Sequence, residues 1–392
     1  MRTKKFKTVQ AFRNMKSVTG LLMILSAVAC SCSEMKDNSL RVSEVKVNVD
    51  AASASMPVSE IATSSLLLLP TNDSLIINEI NHIHNTSEYI YLSDVSAVYQ
   101  FTYDGRLVHQ LRKQGSGADE YLNVSDFSID SQNNLWILSW TTQALFKYNW
   151  EGNLLKKLKV DLLAQNICLL DDNHLLLYTG NEENSSGQQL HLLNVSTGQI
   201  EKAYKPIDKS QAGYLHVKSN NMFRRCDDRS ICFHQLFNDT VYRLTPEQLT
   251  AEYVVNWDGH NIPRSYFEND FQNIMEFFQD FHGKGIYAYG FNCFVETAGS
   301  YWISYYYQKT CACAIVPKRE GKPLLFTELK VDALQGYPVV LSNASLFVQD
   351  DGSIVLPVQA MNVKEYWTEH NLQGEEIPDD SNPYLLIIRP KK

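Results

Sequence analysis

From about residue 60 onward, apolar residues fall into short runs separated by polar turn clusters. One pair of runs is Tyr89-Ile90-Tyr91-Leu92 and Val98-Tyr99-Gln100-Phe101. A second is Leu135-Trp136-Ile137-Leu138 and Leu145-Phe146-Lys147-Tyr148, and a third is Leu175-Leu176-Leu177-Tyr178 and Leu190-His191-Leu192-Leu193. Their length and their enrichment in aromatic and branched residues predict strands. Each pair ends in a glycine turn: Asp104-Gly105, Glu151-Gly152 and Thr197-Gly198. Gly supplies the positive φ that a tight hairpin needs. These glycines are 47 and 46 residues apart. A repeat of that length with strands in every unit predicts the blades of a β-propeller.

The pattern continues in weaker form. Ile231–Leu236 with Thr240–Leu244 forms a fourth unit, and Tyr301–Tyr307 with Cys313–Val316 a fifth. Leu346–Val348, Ile354–Leu356 and Tyr384–Ile388 form a sixth. The expected fold is therefore all-β: a six-bladed propeller over residues 60–392. Between the fourth and fifth units, Phe267, Phe271, Ile274, Phe278 and Phe281 recur at helical spacing. This predicts a helical insertion over about 264–282, whose apolar face packs on the propeller.

The N-terminus follows a different logic. Residues 1–29 carry six basic groups and no acidic one, and end in the apolar run Leu21–Ala29. At about 1.5 Å per residue this run is too short for a permanent span. The order predicts a signal peptide. Ala27-Val28-Ala29-Cys30 resembles a lipobox, which makes Cys30 the lipidation site and Cys32 the second choice. Residues 30–59 are small and polar, as expected of a flexible tether. After removal of residues 1–29, 29 Lys+Arg face 44 Asp+Glu, a net charge of −15. Such a domain is a poor partner for nucleic acid. The membrane is reached through the lipid anchor.

Chemistry is sparse. The G-x-S-x-G, H-E-x-x-H and phosphate-loop patterns are absent. No catalytic residue, resident metal or cofactor is predicted. Cys226 and Cys232 flank a polar turn and form a candidate disulfide of an exported protein. Cys311 and Cys313 share a strand face and read as core. His82 and His84 read as structural rather than as metal ligands. The doublet Arg224-Arg225, beside Asp227-Asp228, is a candidate anion contact at a channel mouth. In Gly115-Ser116-Gly117-Ala118-Asp119-Glu120-Tyr121, the glycines permit close backbone approach. Glu120 is a candidate hydrogen-bond acceptor and Tyr121 a stacking surface for a ligand. The competing reading is a structural turn in which Glu120 satisfies backbone N–H groups.

That loop resembles the G-x-G-P-G-E-Y signature of six-bladed β-propeller lipoproteins of gut Bacteroidetes, relatives of the NHL-repeat propellers. Phe237–Leu244 resembles the family's fourth-blade motif. Ala118-Asp119 replaces the usual Pro-Gly. The resemblance spans roughly residues 60–390 and implies a lipid-anchored envelope propeller, in the outer membrane of a Gram-negative cell. Two function classes follow. One is a binding module for a peptide, glycan or protein partner. The other is a metal-dependent propeller hydrolase or lyase of the lactonase kind, with Asp94, Asp126 and Asp130 as conceivable oxygen ligands. The first is the primary expectation.

Overall fold

The computed structural model describes residues 42–391, apart from 52, 72–74, 78, 212, 213, 215–218, 220 and 228. The leader, Cys30, Cys32 and the first part of the expected tether lie outside the described residues.

The chain first lays down three strands, β1 (Ser43–Lys46), β2 (Ser53–Pro57) and β3 (Ala62–Leu68), with a one-turn helix α1 (Val58–Ile61) before β3. Sheets I to III then form in sequence, each a four-strand meander. Sheet I holds β4 (His82–Asn85), β5 (Tyr89–Ser93), β6 (Val98–Thr102) and β7 (Leu107–Leu111). Sheet II holds β8 (Asp126–Ile129), β9 (Leu135–Ser139), β10 (Ala144–Tyr148) and β11 (Leu154–Lys159). Sheet III holds β12 (Asn166–Asp171), β13 (His174–Tyr178), β14 (Gln188–Asn194) and β15 (Ile200–Pro206).

Sheet IV contains β16 (Phe223–Asp227), β17 (Ser230–Phe233), β18 (Thr240–Leu244) and β19 (Leu249–Asn256), and β1 adds parallel to β19. Helices α2 (Arg264–Phe267) and α3 (Ile274–Lys284) follow. Sheet V contains β20 (Tyr289–Glu296), β21 (Ser300–Tyr307), β22 (Thr310–Pro317) and β23 (Leu324–Val331). β2 and β24 (Tyr337–Val340) both pair with β23. Sheet VI contains β25 (Phe347–Val348), β26 (Ile354–Val358) and β27 (Tyr384–Pro390), with α4 (Ala360–Glu369) between the last two. Its fourth strand is β3, antiparallel to β27 from Leu68↔Tyr384 to Ala62↔Pro390.

Buried side chains explain why the sheets stack. Tyr91, Phe127, Ile137 and Phe146 share one cluster between sheets I and II. Trp136, Leu145, Leu175 and Leu177 join II to III, and Tyr178, Leu190, Phe233 and Leu244 join III to IV. Val241, Val255, Ile303 and Ala314 join IV to V. Trp302, Phe326, Leu356 and Leu386 join V to VI. Finally Leu67, Leu385, Ile90 and Phe101 join VI back to I. Each fully buried Leu, Ile or Phe contributes about 1.5–3 kcal/mol. A single sheet buries neither face alone; a closed ring buries both. Among the described residues there are thus six sheets and six apolar seams. The fold is an all-β propeller.

The turn glycines behave as the hairpins require. Gly105 has φ +89°, and a Cβ there would stand 2.4 Å from the Leu68 carbonyl oxygen on the neighbouring sheet.

Two boundaries differ from expectation. The segment expected to remain a tether through residue 59 joins the fold from Ser43, because Val45, Val47 and Val49 are buried in the seam between sheets IV and V. The helix expected over 264–282 is two helices with a break between them. Asn273 caps the second, its side chain accepting from Met275 N and Glu276 N. This starts a new helix rather than continuing the old one. Of the expected stripe, Phe267 and Phe281 are buried while Phe271, Ile274 and Phe278 are partly buried; Phe277, outside that stripe, is fully buried, and Tyr214, Phe237 and Tyr266 join the cluster.

Candidate functional site

The innermost strands pack in the pairs β4–β8, β8–β12, β12–β16, β20–β25 and β25–β4. Three of these strands begin with a buried polar residue: His82 on β4, Asp126 on β8 and Asn166 on β12, at 4%, 4% and 2% exposure. Three polar side chains at equivalent positions in an apolar stack need partners, and they supply them to one another. His82 Nδ1 lies 3.2 Å from Asp126 Oδ1, and His82 Nε2 lies 2.9 Å from the Ser125 carbonyl. Asp126 Oδ2 accepts from Asn166 Nδ2 at 3.2 Å and from Ile167 N at 2.9 Å. The arc spans sheets I to III and ends at Asn166 Oδ1, a buried acceptor without a hydrogen-bond partner.

Asn166 and Asp126 face a cavity of about 580 Å³ in the centre of the ring. Sheets I, II, III, IV and VI line it through residues such as His84, Ser128, Cys168, Arg225 and Val348. The lining includes Glu88, Asp126, Asp130, Asp227 and Asp350 against a single arginine, Arg225. Two of these acids are already neutralised: Asp130 by Lys147 at 2.7 Å and Asp350 by Arg225 Nε at 3.3 Å. His84 Nε2 is buried without a hydrogen-bond partner, while its ring meets the Phe127 ring edge-on at 4.8 Å. The lining therefore carries more acidic than basic side chains.

The sequence candidates divide. Arg225 reaches the cavity. Arg224, next to it on β16, does not line the cavity, and its Nε is buried without a hydrogen-bond partner. Tyr121 is fully buried; its hydroxyl donates to the Ser96 carbonyl at 2.9 Å and accepts from Lys113 N at 3.1 Å. Burial lifts its pKa to about 12. It presents no face for a ligand to stack on. Glu120 Oε2 accepts from Gly117 N at 2.8 Å, and a Cβ at Gly115 would collide with that carboxylate. The two glycines thus make room for Glu120 rather than for a ligand.

Asp94 is consumed by its own turn, accepting from Ser96 N, Ala97 N and the Tyr99 hydroxyl. Among the described residues, no group of three or more His, Cys, Asp or Glu side chains is placed to hold a metal ion. Cys313 is buried, with its thiol pushed up to about 12 by desolvation. Cys311 is partly buried and its thiol is also raised. The polar arc was not singled out from sequence. Its signal is the recurrence of a polar residue at the head of successive inner strands, 40 residues apart for Asp126 and Asn166.

No helix among the described residues is long and apolar enough to cross a membrane, which leaves β-barrel spanning unaddressed. Solved structures resemble this chain to different degrees. An inferred exported protein of Bacteroides fragilis superposes with a TM-score of 0.70 at 18% identity, covering 90% of this chain and 100% of that one. A member of the DUF4221 family from Bacteroides vulgatus gives 0.49 at 10% identity, over 84% and 97% of the two chains. Virginiamycin B lyase from Staphylococcus aureus gives 0.40 at 11% identity, over 83% and 99%. No curated protein matches this chain significantly. The family model described as a domain of unknown function, DUF4934, matches residues 41–389, from just before the first strand to the end of the last. The chain belongs to the DUF4934 family.

Proposed function

We propose that this chain is a cell-envelope lipoprotein, anchored through Cys30 in the outer membrane of a Gram-negative bacterium. Its six-bladed, NHL-like propeller binds a peptide, glycan or protein partner at the central cavity. The blade count rests on the six sheets and six seams. The anchor rests on the basic leader and on Ala27-Val28-Ala29-Cys30. Export is supported by the fold shared with the B. fragilis protein.

The observation that carries the binding reading is Asn166 Oδ1. A buried acceptor left unpaired costs about 1–3 kcal/mol, which a ligand N–H or O–H recovers. The acidic lining adds a preference for ligands with ammonium or guanidinium groups. Of the partner classes, a peptide with basic side chains fits this chemistry best.

Isothermal titration of the mature protein with trilysine, triglutamate and a neutral trisaccharide tests the reading. Trilysine binding in wild type, weakened in Asn166→Leu, is the expected result. Equal binding by wild type and Asn166→Leu, or binding of triglutamate alone, would remove the cavity from consideration.

A further inference from the structure

Six cysteines are described, all of them free. Cys168, Cys293, Cys311 and Cys313 carry thiols raised above the usual range, with no second described cysteine bonded to any of them. The remaining two, Cys226 and Cys232, are hydrogen-bonded to each other. Strands β16 and β17 pair with Arg224 opposite Cys232 and Arg225 opposite Ile231. The register then shifts before Asp227, which leaves Cys226 without a cross-strand partner. At this irregularity Cys226 packs against the buried cluster that contains Cys232.

The surroundings are asymmetric. Cys226 lines the central cavity, whereas Cys232 is 2% exposed. Arg224 and Arg243 lie close enough to favour a Cys226 thiolate. Arg243 is held by Glu252 at 3.0 and 2.9 Å, and Arg224 keeps a buried Nε without a hydrogen-bond partner. Contact with Cys232 and the positive charge of the two arginines draw the Cys226 thiol below its ordinary range. Cys232 is pushed up, by its contact with Cys226 and by burial. A nucleophilic thiolate open to a cavity with a protonated thiol behind it is the arrangement that thiol–disulfide exchange requires.

The geometry points to a thiol–disulfide exchange site at Cys226 and Cys232, whose substrate is a low-molecular-weight disulfide entering from the central cavity. Cys226 thiolate attacks one sulfur of the substrate. A mixed disulfide forms and one substrate thiolate leaves. Cys232 then attacks Cys226 Sγ, its proton passing to a departing thiolate. The Cys226–Cys232 bond forms and the second substrate thiolate leaves. The cysteine pair is oxidised by two electrons, and the substrate disulfide is reduced to two thiols. This chemistry is independent of whether Asn166 binds a peptide.

Oxidised glutathione added to the reduced mature protein is the test, read by intact and peptide mass spectrometry. Wild type should lose two hydrogens and yield a peptide cross-linked between Cys226 and Cys232. Cys232→Ser should retain glutathione on Cys226. The pH midpoint of Cys226 alkylation by iodoacetamide should lie below the ordinary thiol value in wild type. It should move toward the ordinary thiol value of about 8.5 in Cys232→Ser. Thermal melts establish that the variant is folded, and wild-type alkylation needs no variant at all. A wild-type Cys226 that does not react, that keeps glutathione unresolved, or that alkylates with an ordinary thiol midpoint would overturn the assignment.

Discussion

Asp350 accepts a hydrogen bond from Arg225 N at 2.8 Å and meets Arg225 Nε at 3.3 Å, so sheet VI holds sheet IV directly across the cavity rim. The junction continues inward. Asn221 donates to the Leu346 carbonyl and accepts from Val348 N at 2.9 Å. Among the described residues, sheet V, which lies between IV and VI in the chain, sends none to this cavity. Its inner strand β20 instead packs against β25 and is interrupted by a register shift between Gly290 and Phe294.

The two contacts should differ in worth. Arg225 and Asp350 are 41% and 39% exposed, so the ion pair should contribute no more than about 1 kcal/mol. Asn221 is 5% exposed and bridges two backbone groups. Asn221→Ala should cost about 2–4 kcal/mol by chemical denaturation, from two buried groups left unpaired. Asp350→Asn should cost less than a third of that. Equal losses would contradict the rim geometry.

The Gly115–Tyr121 loop makes a second pair of expectations. Tyr121→Phe removes a hydroxyl bonded to Ser96 and Lys113 in a fully buried setting, and should destabilise by about 1–3 kcal/mol. Glu120→Ala breaks the bond to Gly117 N and should lower the melting temperature with no change in trilysine affinity. A melting temperature unmoved by Glu120→Ala, together with lost affinity, would return the loop to the binding site.

Acid sensitivity follows from His191. Burial pushes its imidazole down to about 4, and its Nε2 lies 2.8 Å from Ser186 Oγ. The unfolded chain protonates this group near 6.5, while the folded one does not until about 4. Protons therefore favour the unfolded state in that window. Stability falls as pH drops through it, by up to about 1.4 kcal/mol per pH unit for one such group. Burial also pushes His234 down, to about 3, adding a loss of the same sign. His191→Gln should flatten the fall measured by urea denaturation between about pH 6.5 and pH 4, leaving the His234 part. An unchanged slope would show that His191 is not held neutral.

How much of this was legible depends on where each strand sits. Middle strands such as β9 read plainly, because Leu135 to Ser139 are all buried and nearly all apolar. Inner strands are harder. His82–Asn85 and Phe223–Asp227 carry histidines, arginines and a cysteine, because one edge of each faces the polar cavity. The closing strand β3 pairs with β27 from the far end of the sequence, and no local pattern encodes that pairing. The Gly-rich loop drew notice for residues that the structure spends on the loop itself. Asn166, one polar residue at the head of an apolar strand, stands out only through its recurrence with Asp126, 40 residues earlier.

Amide hydrogen exchange of the mature protein with and without trilysine tests the central cavity most directly. The account predicts added protection in peptides covering Asp126–Ile129, Asn166–Leu169 and Phe223–Asp227, all of which contribute to the cavity wall. It also predicts loss of that protection in Asn166→Leu. Protection confined to the Gly115–Tyr121 loop or to helices α2 and α3, with the inner strands unchanged, would contradict it.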